Sequence, residues 1–207
     1  MPDASPLTVM PLDASRREDY LRFFDHERGR AFSDNPQWAS CYCHFYHVPK
    51  AIEWSALDGR ANRLAMDARI ATGEMQGYLA YDGDSVCGWL NAQPLNKLVH
   101  CFARMEIAPP PLPVPAYEAA AIVCFVVAPE SRRRGVAAAL LAGALDDLAA
   151  RGIRIVDAFP FNTPEGSAKA TGHYHGPLEL FLRHGFAPLV RHANLTVVRR
   201  TLRDVET

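Results

Sequence analysis

The chain has no apolar run approaching the roughly 20 residues that a bilayer-spanning helix needs, and its first residues, Met1 to Ser5, are polar rather than signal-like. It also lacks a charge excess. With a formal net charge of −1 it has no basic balance for binding nucleic acid through bulk electrostatics. The five cysteines, Cys41, Cys43, Cys87, Cys101 and Cys124, are odd in number and scattered, so they do not read as a disulfide framework. A reduced, cytoplasmic protein is expected, with no membrane and no nucleic acid among its partners. No internal repeat or low-complexity stretch is present, and no Gly-Lys-Ser/Thr follows any loop, which argues against a nucleotidase of the P-loop kind.

What is present is enough apolar material, 49% of 207 residues, to bury one core. A single domain, 1–207 with its core over about 7–203, is expected. Leu7 to Leu12 can form a first strand. Ser15-Arg16-Arg17-Glu18 reads as a capping box, with a helix to about His26 that turns Tyr20, Phe23 and Phe24 inward. Asn35-Pro36 opens a second helix, N-cap then proline, which Pro49 ends. A third starts near Ser55 with Leu57, Ala61, Leu64 and Ala68 on one face.

The period then changes from helical to alternating. Gly77–Tyr81 and Ser85–Leu90 flank Asp82-Gly83, a hairpin signal. Pro109 to Pro115 holds five prolines in seven residues and must be a loop or an edge crossing. Ala119 to Val127 is almost wholly apolar, as a strand buried on both faces should be. Gly135 to Ala150 is a helix with Asp147 and Arg151 paired outside and Gly152 closing it. Arg154–Phe159 is a strand, Leu178–His184 a short helix ended by Gly185, and Leu195–Arg200 a last strand.

Between the apolar strand and the long helix stands Val127-Ala128-Pro129-Glu130-Ser131-Arg132-Arg133-Arg134-Gly135-Val136-Ala137. A strand that feeds a helix through such a loop leaves the first-turn N–H groups without partners, and the helix dipole adds about half a positive charge there. Three arginines supply charge-assisted donors, Gly135 permits close approach, and small Ala137 does not block it. The combination reads as a pyrophosphate site.

This segment resembles the acetyl-CoA signature of the GCN5-related N-acetyltransferase (GNAT) superfamily, Arg/Gln-x-x-Gly-x-Gly/Ala introduced by Val-x-Pro. Leu180-Phe181-Leu182-Arg183-His184-Gly185-Phe186 resembles its second landmark, an aromatic residue four positions before Gly-Phe. The resemblance covers most of the chain, from Leu7 to Arg203. It implies an α/β (α+β) fold, a GNAT-like mixed, mostly antiparallel splayed sheet flanked by helices. It implies acetyl-CoA as acyl donor, with no metal. Backbone groups of Phe125, Val126 and Val127 would hold the pantetheine arm, and those of Arg132, Arg133, Arg134, Gly135, Val136 and Ala137 the pyrophosphate. Asn162 would sit against the cofactor and Phe181 would pack on it.

The implied activity is acetyl transfer to a small amine or amino-acid-like acceptor by direct attack on the thioester. A peptide or protein acetyltransferase, or a non-catalytic acyl-CoA-binding regulatory module, are the alternatives, and a homodimer is compatible with all three. Such chemistry needs a deprotonated amine, a donor to the developing oxyanion near Val126, and a proton for the departing thiolate. The last is commonly a tyrosine where this chain has Phe181, so Tyr174, within Gly172-His173-Tyr174-His175-Gly176, is the nearest substitute. Glu118, Glu106 and Asp157 are candidate bases. Trp38, Cys43, Trp89 and His175 are expected to line the acceptor pocket, with Asn91 beside Trp89. Cys41, Cys43, His44 and His47 suggest zinc by residue type, but on a helix Cys41 and Cys43 lie about 200° apart and could not converge on one ion.

Overall fold

The computed structural model describes residues 7–25, 31, 33, 34, 36–162 and 174–203. The polar start of the chain, Asn35 and the Gly172-His173 pair lie outside these residues, as does the expected helix end at His26.

Seven strands form one sheet in the order β1-β2-β3-β4-β5-β7-β6. They are β1 (Thr8–Pro11), β2 (Tyr78–Asp82), β3 (Ser85–Pro94), β4 (Ala119–Val127), β5 (Ile155–Ala158), β6 (Ala187–Arg191) and β7 (Thr196–Thr201). Every pairing is antiparallel except β4 with β5. The mixed, mostly antiparallel sheet expected from the sequence is therefore the fold observed. β6, mostly exposed and not foreseen, completes a hairpin with β7.

Among the described residues five helices flank the sheet: α1 (Arg17–Phe24), α2 (Gly59–Ala71), α3 (Cys101–Met105), α4 (Val136–Ala150) and α5 (Leu178–Arg183). α4 and α5 share one apolar cluster with Tyr78, Leu90 and Phe125, whereas α1 and α2 share another with Leu79, Trp89 and Val126. Alternate residues of β2, β3 and β4 thus face opposite layers. α4 lies close on β3 because Gly88 has no side chain there. A Cβ at that position would come within 2.6 Å of Val136.

Three local expectations need correction. Ser15 does not cap α1. Asp13 does the capping one step earlier, its carboxylate accepting from the N–H groups of Ser15 and Arg16 at the start of a 3-10 turn, Ala14–Arg16. Instead of one helix from Asn35 to Pro49 there are two 3-10 turns, Pro36–Cys41 and Phe45–His47. Tyr42 and Cys43 between them adopt left-handed φ angles of 45° and 52°, which ends any right-handed helix.

The inward face of α2 is Asn62, Met66 and Ile70, while Leu64 is 56% exposed. A polar residue at the start of the true face disguised it. Asn62 is buried because it is satisfied: its Nδ2 donates to the Ser40 carbonyl at 2.9 Å, and its Oδ1 meets His44 Nδ1 at 2.8 Å. The helix thereby pins the 40–44 segment that carries the cysteines.

Candidate active site

β4 pairs with β3 along its whole length but with β5 only from Ala119 to Ile122. A register shift opposite Asn91 and Ala92 leaves Val123 as an extra residue in β4, and bulges of this kind bend a strand away from its partner. From Val123 onward the sheet is splayed. Phe125 N–H points into the gap and donates to the Tyr174 carbonyl at 2.6 Å, while Ala128 N–H donates to the Cys87 carbonyl of β3 at 3.0 Å. By the alternation of a strand, Val127 N–H faces the gap with Phe125, and Val126 N–H faces β3. The oxyanion donor expected near Val126 therefore cannot be that residue's own amide.

A cleft of about 420 Å³ opens here. Phe125, Val126 and Val127 form one wall, Arg132, Arg133, Gly135, Val136 and Ala137 its phosphate-sized end, and Tyr174, Gly176, Leu180 and Arg183 the far side. Gly135 caps α4 at φ 81°, with open space where a Cβ would be and no side-chain cap over the helix start. The first-turn amides are thus presented toward the cleft, a suitable seat for a diphosphate.

The three arginines are not equivalent. Arg132 is clamped on Asp34 at 2.5 and 3.1 Å and donates to the Val127 carbonyl. Arg134 pairs with Asp82 at 3.0 Å and does not line the cleft. Arg133 has no ion pair with any described residue and does line it. Among the lining residues that sequence reasoning missed, two carry polar side chains, Arg183 and Ser131. The Ser131 hydroxyl is buried without a hydrogen-bond partner among the described residues, and Ser131 lines the cleft. Phe181, fully buried, packs under the cleft against Phe125 and Phe186.

A second cavity of about 270 Å³ adjoins the first, and Trp38, Val126 and Tyr174 line both. Its remaining walls are Ser40, Cys41, Cys43, Phe45, Tyr46, Trp54 and Cys124. Cys41 and Cys43, which a helix would have turned apart, face the same space because left-handed Tyr42 and Cys43 reverse the chain. Trp38 meets Tyr174 edge to face at 5.5 Å. Of the expected pocket residues, Trp38 and Cys43 line this cavity. Trp89 is instead fully buried in the core against Tyr20 and Phe24.

His175 stands one layer behind the wall. Its Nδ1 lies 2.7 Å from the Phe159 carbonyl and must carry the proton, which leaves Nε2 to accept from the Tyr46 hydroxyl. Burial drives the His175 pKa down to about 4, so the ring is neutral at pH 7. Tyr46 also interacts with the Tyr174 hydroxyl, and burial raises both phenols above their ordinary value. Tyr174 and Tyr46 both line the second cavity, and the Tyr46 hydroxyl bonds inward to His175.

The candidate bases are elsewhere. Glu118 precedes β4 and pairs with Arg154 at 3.3 Å; at about 3.3 Å per residue it lies on the order of 20 Å from Phe125. Exposed Glu106 pairs with Lys50. Asp157 is buried under Arg199, bonded at 2.6 and 2.8 Å. Asn162 is committed to the β6–β7 loop, donating to the His192 carbonyl and accepting from Thr196, and it lines neither cavity. A strand-end carboxylate is visible in sequence, but its ion-pair partner from a distant segment is not.

Solved structures resemble this chain in fold at low identity. A GCN5-related N-acetyltransferase from Kribbella flavida is 19% identical with a TM-score of 0.52, covering 97% of this chain and 99% of its own. An N-acetyltransferase from Staphylococcus aureus Mu50 is 12% identical with a TM-score of 0.54, covering 96% and 100%. The PaiA N-acetyltransferase from Thermoplasma acidophilum, solved in complex with coenzyme A, is 9% identical with a TM-score of 0.53, covering 95% and 99%. No curated protein matches the sequence. Residues 20–173 match the family model described as acetyltransferase (GNAT) family, so this chain, with its splayed sheet and its cleft at the start of α4, belongs to the GNAT acetyltransferases.

Proposed function

We propose that the chain transfers an acetyl group from acetyl-CoA to a small amine with an apolar or aromatic body. The observation that carries the reading is the pair of adjoining cavities with a common wall at Trp38, Val126 and Tyr174. The first has the features a diphosphate and an extended arm require: amides at the start of α4 with no side-chain cap, Arg133 and the Ser131 hydroxyl, neither with a partner among the described residues, and a strand edge.

Among the described residues the second is lined by five aromatic side chains and three thiols, and no carboxylate, arginine or lysine is among them. It offers nothing to an acceptor's carboxylate, which disfavours free amino acids. Nor does it offer a counter-charge to an ammonium. Aromatic faces attract a cation by up to about 2 kcal/mol, whereas an unpaired ion taken from water costs several kcal/mol. Desolvation wins, so the pocket favours the neutral amine, which is the reactive form. In this reading Tyr174, which lines both cavities, protonates the departing thiolate.

Calorimetry with acetyl-CoA, followed by thiol release over a panel of amines, tests this. Binding is expected, with turnover highest for compact aromatic amines and low for amino acids and peptides. Binding with no release on any acceptor would instead support a regulatory module, and release with peptides alone a protein acetyltransferase.

A further inference from the structure

Among the described arginines and lysines only Arg104, at 8% exposure, is buried. A buried cation is costly unless its donors are satisfied, and here main-chain carbonyls satisfy them. Nε donates to Val48 at 2.9 Å, and Nη2 donates to Pro49 and to Ile52, both at 2.8 Å. The guanidinium carbon also stands 5.0 Å from the centroid of the Phe45 ring. The planar fork of an arginine lets one side chain serve three acceptors, which the single nitrogen of a lysine spans less well. Arg104 comes from α3 and lines neither cavity.

The three carbonyls belong to a turn that has little else to hold it. Residues 49–53 are all exposed, so apolar burial does not anchor them, and the turn closes on itself through Ile52 N–H and the Pro49 carbonyl at 3.0 Å. Yet it joins walls of the second cavity, Phe45 and Tyr46 before it and Trp54 after it. Phe45 meets Trp54 edge to face at 5.2 Å, and Tyr46 in the same way at 5.1 Å. Other walls are fixed by other means: Tyr46 bonds to His175, the Ser40 carbonyl accepts from Asn62, and Cys124 and Val126 belong to β4. The stance of Phe45 against Trp54 depends on where the carbonyls of the turn stand, and Arg104 gathers these. Lys50 and Glu106 also tie the turn to the end of α3, but both are exposed, where solvent leaves such a pair little strength.

We propose that Arg104 is a positioning residue of the acceptor site: it holds the 48–52 turn so that Phe45 and Trp54 stand preformed as one wall for the amine. The inference rests on the acetyl-transfer reading above and adds to it a residue that sets acceptor affinity from outside the pocket. A preformed wall spares the incoming amine the cost of ordering two large rings. Without Arg104 each amine has to order them as it binds. Tyr174 and the donor cleft are carried by other elements and keep their places. The loss then falls alike on the bound amine and on the transition state, so it belongs in the KM for the amine and not in kcat.

The test follows thiol release by the full chain at saturating acetyl-CoA while the fastest amine of a panel, benzylamine and phenethylamine among them, is varied. Arg104→Met, which keeps the length of the side chain and removes its donors, should raise the amine KM about tenfold. In the same variant kcat and the calorimetric affinity for coenzyme A should stay within a factor of about two. Arg104→Lys keeps the charge beside Phe45 and should raise KM about threefold; it carries the test if the methionine variant does not fold. Lys50→Ala removes only the exposed pair and should leave KM within a factor of about two. A folded Arg104 variant that melts earlier but keeps the wild-type amine KM would reduce Arg104 to a structural role and overturn this inference alone. So would an equal loss of coenzyme A affinity, since the damage would not then be confined to the acceptor wall. Wild-type protein that binds no coenzyme A, or releases thiol with no amine, would remove it together with the acetyl-transfer reading.

Discussion

The two cavities that meet at Tyr174 are made of different material. The cleft proposed for the donor draws on main chain: a strand edge at a bulge, a glycine at positive φ and the start of α4 without a side-chain cap. The acceptor pocket is mostly side chain, with rings and thiols from the 38–54 segment, β4 and the 174–177 turn. A main-chain site is set by a short run of sequence and suits a ligand that does not vary. A side-chain site can be recast one residue at a time. The comparison implies that substitutions in the first should act on coenzyme binding and those in the second on turnover.

The largest separation is expected at Gly135. Gly135→Glu sets a carboxylate at the helix start where a diphosphate would sit, and loss of its charge-assisted bonds should weaken coenzyme A binding roughly a hundredfold or more. The Cβ itself meets nothing within 4 Å, so the fold is lost only to the extent of the positive φ, about 1 kcal/mol. Calorimetry beside a denaturant melt reads both. Unchanged affinity would move the diphosphate elsewhere.

Tyr174→Phe should do the opposite. The ring that meets Trp38 remains and the hydroxyl goes, so kcat should fall roughly a hundredfold, at the lower end of what a positioned acid contributes, while coenzyme affinity stays within a factor of about two. Steady-state kinetics with a low-pKa thiol donor in place of coenzyme A sharpens it. A leaving group that needs no proton should restore most of the loss if Tyr174 is the acid.

The same contrast explains what could be seen before the structure. Val127 to Ala137 is contiguous, and its meaning depends only on a strand before it and a helix after it, both marked by hydropathy. The pocket is not contiguous. Cys41 and Cys43 face one space only because Tyr42 and Cys43 turn left-handed, held by the Tyr20 hydroxyl on the Tyr42 carbonyl at 2.6 Å. No local pattern signals that bond. The three carboxylates offered as bases were visible as residues, but Arg154, Lys50 and Arg199, which claim them, lie 36, 56 and 42 positions away. Asn62 hid the face of α2 for the same reason, being buried only because Ser40 and His44 satisfy it. One local signal of the pocket's surroundings does exist in the sequence: Asn91 and Gln93 alternate on a mostly apolar strand, and a polar pair there calls for a partner.

The smallest effect separates the arginines within the donor cleft. Sequence alone makes Arg132, Arg133 and Arg134 one basic run. The structure gives Arg132 to Asp34, Arg134 to Asp82, and leaves Arg133 on the cleft without an acid among the described residues. Arg133→Gln should therefore weaken coenzyme A binding about tenfold, the value of one charge-assisted contact at a partly exposed site, and should flatten its salt dependence. Arg134→Gln should change it less than about threefold, since a guanidinium nearly half exposed and already paired with a carboxylate adds little net field at the phosphates. Equal losses at the two positions would mean that the loop acts as an undivided positive patch. The main-chain account of the cleft would then give way to one in which charge, rather than the start of α4, holds the donor.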